Sequence, residues 1–283
     1  MRDRFLTGLI GYPIAHSAAP AMHEQAAASL GVRCHYQLIE VKGAGRDELR
    51  AMLEGVRRLG FAGVNVTFPC KEAVVDLIDD LAPDARAIGA VNTIVVDDAR
   101  LVGHNTDATG FARAIEPLLA SAPRGPIALI GAGGVGKAIA FALAGLGVAG
   151  LRIFDADAAK AAQLAAQLQD HHAAHATSVE AAVQGAAGLV NATPVGMLPS
   201  RDTPVPDALL RPAMWVADAV YTPLWTPLLT AAKAKGARVL TGRELAINAS
   251  ADAFKLFTGM TPPLEAMANA FDAVMAARYS SSA

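Results

Sequence analysis

The stretch PIALIGAGGVGKAIAFALAGLGVAGLRIFD, residues 126–155, constrains this chain more than any other. An apolar run at residues 127–130 reads as a strand that breaks into Gly131, Ala132, Gly133, Gly134, Val135 and Gly136, with glycines spaced G-x-G-x-x-G. An apolar helix is expected over residues 135–146 and a second strand over 151–154, closed by Asp155. Gly131 allows the tight turn, Gly133 lets backbone approach a pyrophosphate, and Gly136 lets the helix lie close on the sheet. The helix N-terminus then offers N–H groups and a partial positive charge to phosphates. Asp155 follows at close to the roughly 20-residue offset where an acid meets the adenosine ribose. A glycine-rich turn of another kind does not require strand, turn, helix, second strand and acid in this order, so the stretch is read as a dinucleotide site.

The elements around it repeat the same alternation. Strands are expected at residues 7–10, 35–41 and 63–68, helices at 19–30 and 47–59, and the start of another helix at 71–77. Residues 91–96 and 101–105 read as an antiparallel ribbon leading towards Asp107. This argues for a mixed, mostly parallel sheet with helices on both faces. A helix at 109–119 and the linker SAPRGP lead into the dinucleotide stretch. Beyond it, helices at 158–168 and 227–235 and strands at 174–177, 188–191, 215–218 and 238–240 complete a doubly wound Rossmann domain. Helices at 244–257 and 263–277 have no following strand and are expected to return to the first domain. The fold class is therefore α/β with two domains, residues 1–108 plus 243–283 and residues 109–242; 283 residues at 53% hydrophobic suffice for both cores.

Charge and cysteine content exclude several classes of function. A net charge of −2 gives no electrostatic case for nucleic acid. The apolar run after Lys137 falls short of the roughly 18 residues of a membrane span. Cys34 and Cys70 are too few and too far apart for a disulfide framework or a structural zinc site. Arg2, Asp3 and Arg4 precede only a short apolar run broken by Pro13, a poor signal peptide. A soluble cytoplasmic protein without a metal is the expectation.

Ser17, Thr67, Lys71, Asn92, Asn105, Asp107, Asn191 and Thr193 fall at or beyond the ends of expected elements, where ligands bind in open α/β sheets. Taken singly, each has a structural reading as a cap, a turn residue or a solvated side chain. His16, His23 and His104 read as structural or solvated, and Cys70 as packing. Together, however, the motifs GYPIAHSAAPAMH (11–23), NVTFPCKE (65–72), GAVNT (89–93), GHNTDATGF (103–111), GAGGVGKA (131–138), NATPVGM (191–197), YTPLWTPLL (221–229) and DAFKLFTG (252–259) make the chain resemble the shikimate/quinate dehydrogenase family.

The resemblance implies that the first domain binds a cyclic polyhydroxy acid and the second a nicotinamide cofactor, with hydride passing across a cleft. It implies a catalytic pair at Lys71 and Asp107, substrate contacts at Ser17, Thr67, Asn92 and Tyr221, and cofactor contacts at Asn191, Ala192, Thr193 and Gly242 beside the glycine turn. It further implies a homodimer and a place in aromatic amino acid biosynthesis. Two positions depart from the family pattern: HSAAP keeps Ser17 but has Ala19 where a second hydroxyl is usual, and Ala249 stands where a glutamine is usual. Shikimate or quinate remains the first expectation for the substrate, with another cyclic polyol acid as the alternative. NAD is expected over NADP, since FDADAAK places Asp155 at the ribose and lacks the arginine-containing N-R-T-x-x-R segment of NADP-using relatives. Two rivals are a non-catalytic dinucleotide-binding regulator and a methylene-tetrahydrofolate-type dehydrogenase. Lys71 and Asp107 argue against the first, and GHNTD and NVTFPCKE against the second.

Overall fold

Apolar runs bounded by glycine and proline build two separate sheets in the computed structural model, which describes residues 3–280. In chain order the strands are β1 (Arg4–Gly11), β2 (Arg33–Glu40), β3 (Gly63–Val66), β4 (Asp80–Leu81), β5 (Thr93–Asp97), β6 (Arg100–His104), β7 (Ile127–Ile130), β8 (Leu151–Phe154), β9 (Ala173–His175), β10 (Gly188–Asn191), β11 (Trp215–Asp218) and β12 (Arg238–Leu240). The α-helices are α1 (Ala19–Ser29), α2 (Arg46–Arg58), α3 (Pro83–Ile88), α4 (Thr106–Leu119), α5 (Gly134–Gly145), α6 (Ala158–Gln167), α7 (Val179–Val183), α8 (Pro227–Ala234), α9 (Gly242–Thr258) and α10 (Leu264–Ser280). The chain divides into two compact units, one of residues up to Thr106 with those from Ile247 onward, the other Asp107–Ala246.

The first unit holds a mixed sheet in the order β2-β1-β3-β5-β6-β4. β1 pairs in parallel with β2 and β3, while β5 runs antiparallel to both β3 and β6. The β5–β6 hairpin turns through Asp98 (φ 43°) and Ala99 (φ 62°), two consecutive left-handed residues whose twist matches that of the strands they join. Helix α2 buries Leu49, Leu53 and Val56 on one face. Asp47 and Glu48 in its first turn and Arg57 and Arg58 in its last complement the helix dipole. Its apolar face joins Ile10, Val64, Val66, Val91 and Ile94 in the core. The last two helices return here: α10 packs on α1, and Phe257 of α9 joins Phe5 and Ala62.

One expected element is corrected. Residues 71–77 form turns and a short 3₁₀ segment, Val75–Leu77, instead of the start of an α-helix. Val74 is fully buried, and the β-branched pair Val74 and Val75 suits a helix poorly. The Lys71 carbonyl, which a helix would offer to the Val75 N–H, accepts from the Val91 N–H, and the Val75 N–H bonds the Glu72 carbonyl, three residues back.

The second unit holds an all-parallel sheet in the order β12-β11-β10-β7-β8-β9. All four residues of β7 are buried, as are all four of β10, because helices cover both faces of such a sheet. Strand order reverses between β7 and β10, so the crevice outside their carboxyl ends is the topological switch point at which ligands bind.

Candidate dinucleotide and acid sites

At the switch point the glycine turn follows β7, and its geometry accounts for each glycine separately. A Cβ on Gly136 would lie 2.1 Å from the carbonyl oxygen of Gly131, so only glycine lets α5 approach β7 this closely. Gly131 has φ +105° and backs directly onto Ala192 and Thr193. A Cβ on Gly133 would meet nothing within 4 Å, which leaves an open cradle beside the first turn of α5. Among the described residues no side chain caps that helix, so its N-terminal N–H groups are suited to an anion. The residues present therefore fit a dinucleotide pyrophosphate.

Asp155, at the end of β8, is half-buried, and its carboxylate is anchored on both oxygens. One accepts from the Ala132 N–H at 2.6 Å and the other from the Asp157 N–H at 2.8 Å. Asp157 in turn caps α6 by accepting from the Ala159 N–H. A carboxylate has about four acceptor positions, so Asp155 retains capacity for ribose hydroxyls.

A buried polar cluster forms the other wall of the switch point. Asn191 and Asp218 are register partners at the ends of β10 and β11, and both are almost wholly buried. Asn191 donates to Asp218 Oδ1 (2.9 Å) and to the Val195 carbonyl (3.1 Å). Its own carbonyl oxygen accepts from the N–H and hydroxyl of Thr193. Asp218 also accepts from the Val220 N–H and from the hydroxyl of Thr226, which caps α8. Gly242 completes this wall, since a Cβ there would lie 2.7 Å from the carbonyl oxygens of Ala219 and Val220. Tyr221 lies half-buried in the same loop. Asp218 and Thr226 were not singled out in the sequence. The sequence carries an asparagine and an acid that each end an apolar run, but not the pairing of the two runs.

In the first unit, Ser17, Thr67, Lys71 and Asn92 gather at one end of the sheet. β1 and β3 run parallel and β5 returns antiparallel to them, so the exits of β1 and β3 lie beside the entrance of β5. Main-chain bonds tie these loops together: Tyr12 N–H to the Phe68 carbonyl, Val66 N–H to the Asn92 carbonyl, and Val91 N–H to the Lys71 carbonyl. Ser17 Oγ accepts from the Ala19 N–H at 3.2 Å, which keeps its own proton for an acceptor. The Asn92 carboxamide oxygen accepts from the Thr106 N–H at 2.7 Å, and its amide approaches Thr106 Oγ1 at 3.0 Å. This fixes the start of α4 one residue before the buried Asp107. His16 is exposed, whereas burial lowers the pKa of His104. Burial also raises the Cys70 thiol above its usual range. Among the described residues no cluster of His, Cys, Asp and Glu suits a metal ion, and no helix is long and apolar enough to cross a membrane.

Comparison with known proteins places both halves. A family model described as the shikimate dehydrogenase substrate binding domain matches residues 9–94, and one described as the ThiF family matches residues 108–272. The chain is 43% identical over 269 residues to shikimate dehydrogenase (NADP(+)) of Streptomyces avermitilis, covering 92% of each. It is 42% identical over 279 residues to quinate/shikimate dehydrogenase (NAD(+)) of Corynebacterium efficiens, covering 95% of this chain and 98% of that one. It also superposes on the solved structure of quinate dehydrogenase from Corynebacterium glutamicum in complex with NAD with a TM-score of 0.87. That match has 38% identity and covers 96% of this chain and 100% of the other.

Proposed function

The chain belongs to the shikimate/quinate dehydrogenase family, and we propose that it oxidises a ring hydroxyl of quinate or shikimate reversibly, with NAD as the hydride acceptor. A bound nicotinamide supplies the electron sink, so no metal is needed. The first unit supplies the acid site: Ser17 and Thr67 offer hydroxyls to the substrate, and Asn92 sets the entry to α4 that carries Asp107. Lys71 and Asp107 act as the catalytic pair, holding the reacting hydroxyl and taking up its proton as the hydride leaves its carbon. In the second unit the cradle at Gly133 and Gly134 takes the pyrophosphate, Asp155 the adenosine ribose, and residues 191–193 with Gly242 line the crevice. Tyr221 acts as a further substrate contact.

The observation that carries the choice of NAD is Asp155, held by two backbone N–H groups at the end of β8 with Asp157 two residues on. A 2′-phosphate beside this carboxylate meets like charge, worth up to roughly 4 kcal/mol at about 4 Å and an effective dielectric of about 20. The substrate within the family is open at Ala19 and Ala249, each of which removes a polar group usual at its position. The test is reduction of NAD and of NADP by quinate, shikimate and related cyclic polyol acids. NAD with one of these acids is expected to give the higher kcat/KM, and Asp155→Ala is expected to lower the NAD-to-NADP ratio at least tenfold, about 1.4 kcal/mol. Absence of turnover with every acid would leave a dinucleotide-binding regulator, and an unchanged ratio in Asp155→Ala would remove Asp155 from coenzyme choice.

A further inference from the structure

We propose that Asp218, which the chemistry above does not use, is a positioning residue for the dinucleotide: its buried carboxylate clamps the loops after β10 and β11 into the arrangement that forms the crevice wall. This rests on the dinucleotide reading of the switch point. The clamp is built from three donors. Asn191 Nδ2 and the Val220 N–H reach Oδ1, both at 2.9 Å, and the Thr226 hydroxyl reaches Oδ2 at 2.7 Å. The orientation of Asn191 follows from its partners, because its oxygen accepts from the obligate donor Thr193 N–H. Thr226 Oγ1 already accepts from the Leu229 N–H, so its proton is the one given to Asp218.

Each bond carries its restraint towards the ligand. Through Asn191 the clamp sets Thr193 and Val195, and Ala192 and Thr193 are the residues against which Gly131 of the glycine turn is packed. Through Val220 it sets the backbone that leads into Tyr221 and against which Gly242 is packed. The loops are tied once more by the Leu198 N–H to the Thr222 carbonyl. An ionised carboxylate satisfies all three donors. A protonated one turns an acceptor into a donor that faces Thr226 or Asn191, and part of the clamp is lost.

Burial pushes the Asp218 pKa up to about 7, resisted by the bonds from Val220, Thr226 and Asn191, and no neighbouring charge contributes. β10, the loop after β11 and the first turn of α8 present only these uncharged donors to the carboxylate. The dinucleotide affinity of the unmodified chain is therefore expected to weaken by up to about tenfold from about pH 8 to about pH 6, in proportion to the ionised fraction.

Titration of NADH fluorescence against the full chain tests this without turnover, with NADPH in parallel and thermal unfolding as the check on folding. Asp218→Asn is expected to bind NADH about tenfold more weakly at about pH 8 and to lose the dependence on pH. Thr226→Val is expected to weaken binding, and Thr226→Ser, which keeps both bonds of the hydroxyl, to restore it. A folded Asp218→Asn chain with unmodified affinity and pH profile overturns the inference, as does a flat profile in the unmodified chain. If Asp218→Asn fails to fold, the pH profile and the Thr226 pair still decide it. Binding of NADPH alone removes the choice of NAD and moves the same test to NADPH; binding of neither removes the dinucleotide reading and this inference together.

Discussion

Lys71 is half-buried in the turn after β3, where its carbonyl accepts from the Val91 N–H, and Asp107 is buried one residue beyond the Asn92–Thr106 pair. Both side chains are thus delivered by backbone whose path is set by other residues, as the proposed proton-transfer role requires. Replacing Lys71 or Asp107 by alanine is expected to lower kcat by roughly 10²- to 10⁴-fold. The dissociation constant for NADH should stay unchanged, for Lys71 because the glycine turn lies in the other unit and for Asp107 because it sits at the start of α4, outside that turn. Steady-state kinetics and NADH titration on the same preparations separate the two effects. A Lys71→Ala chain that keeps kcat and shows only a raised KM would give that lysine a binding role instead of a chemical one.

Helix α5 and its turn show how far an element can be read before its neighbours are known. β7, β8, β10, β11 and β12 have the bounds expected from the sequence, and for β7, β10 and β11 the reason is that strands buried on both faces are continuous apolar segments punctuated by glycine or polar residues. α3 and α7, of six and five residues, and the two-residue β4 were not anticipated, because such short segments carry no usable periodicity. The glycine turn is local and legible. The Asn191–Asp218 pair is not, since only the register of β10 on β11 brings together residues 27 apart in sequence. Within the turn, two glycines of one motif have different physical tasks. Gly133→Ala meets open space and is expected to leave stability nearly unchanged while obstructing the pyrophosphate and raising the dissociation constant for NADH. Gly136→Ala drives a methyl into the Gly131 carbonyl and is expected to cost roughly 1–3 kcal/mol of stability as well as binding. Denaturant unfolding and NADH titration of both variants check this, and equal stability losses would refute the division of labour.

Across the whole molecule, the two units carry buried titratable groups of opposite sign. His23 in the first is wholly buried among Tyr36, Phe254 and Phe257, neither ring nitrogen has a hydrogen-bond partner among the described residues, and desolvation holds its pKa at about 3 instead of 6.5. Below pH 6.5 the unfolded chain takes up a proton that the folded unit refuses, so stability is lost as pH falls towards 3. The lowered pKa of His104 acts in the same direction. Asp218 in the second unit has its folded pKa raised to about 7 from 3.8. Between these values the folded unit holds a proton that the unfolded chain releases, so its contribution to stability grows as pH falls from 7 to 3.8. At about 1.4 kcal/mol per pH unit, going from neutral to about pH 5 costs the first unit roughly 2 kcal/mol and favours the second by a similar amount. Acidification is therefore expected to drive the unfolding of the two units apart, the first melting lower and the second higher. Calorimetry with hydrogen exchange assigned to each unit would follow this. His23→Phe is expected to remove most of the acid loss from the first unit, and Asp218→Asn the acid gain from the second. Parallel shifts of both units with pH, unaltered by either substitution, would show that neither buried group governs the acid response.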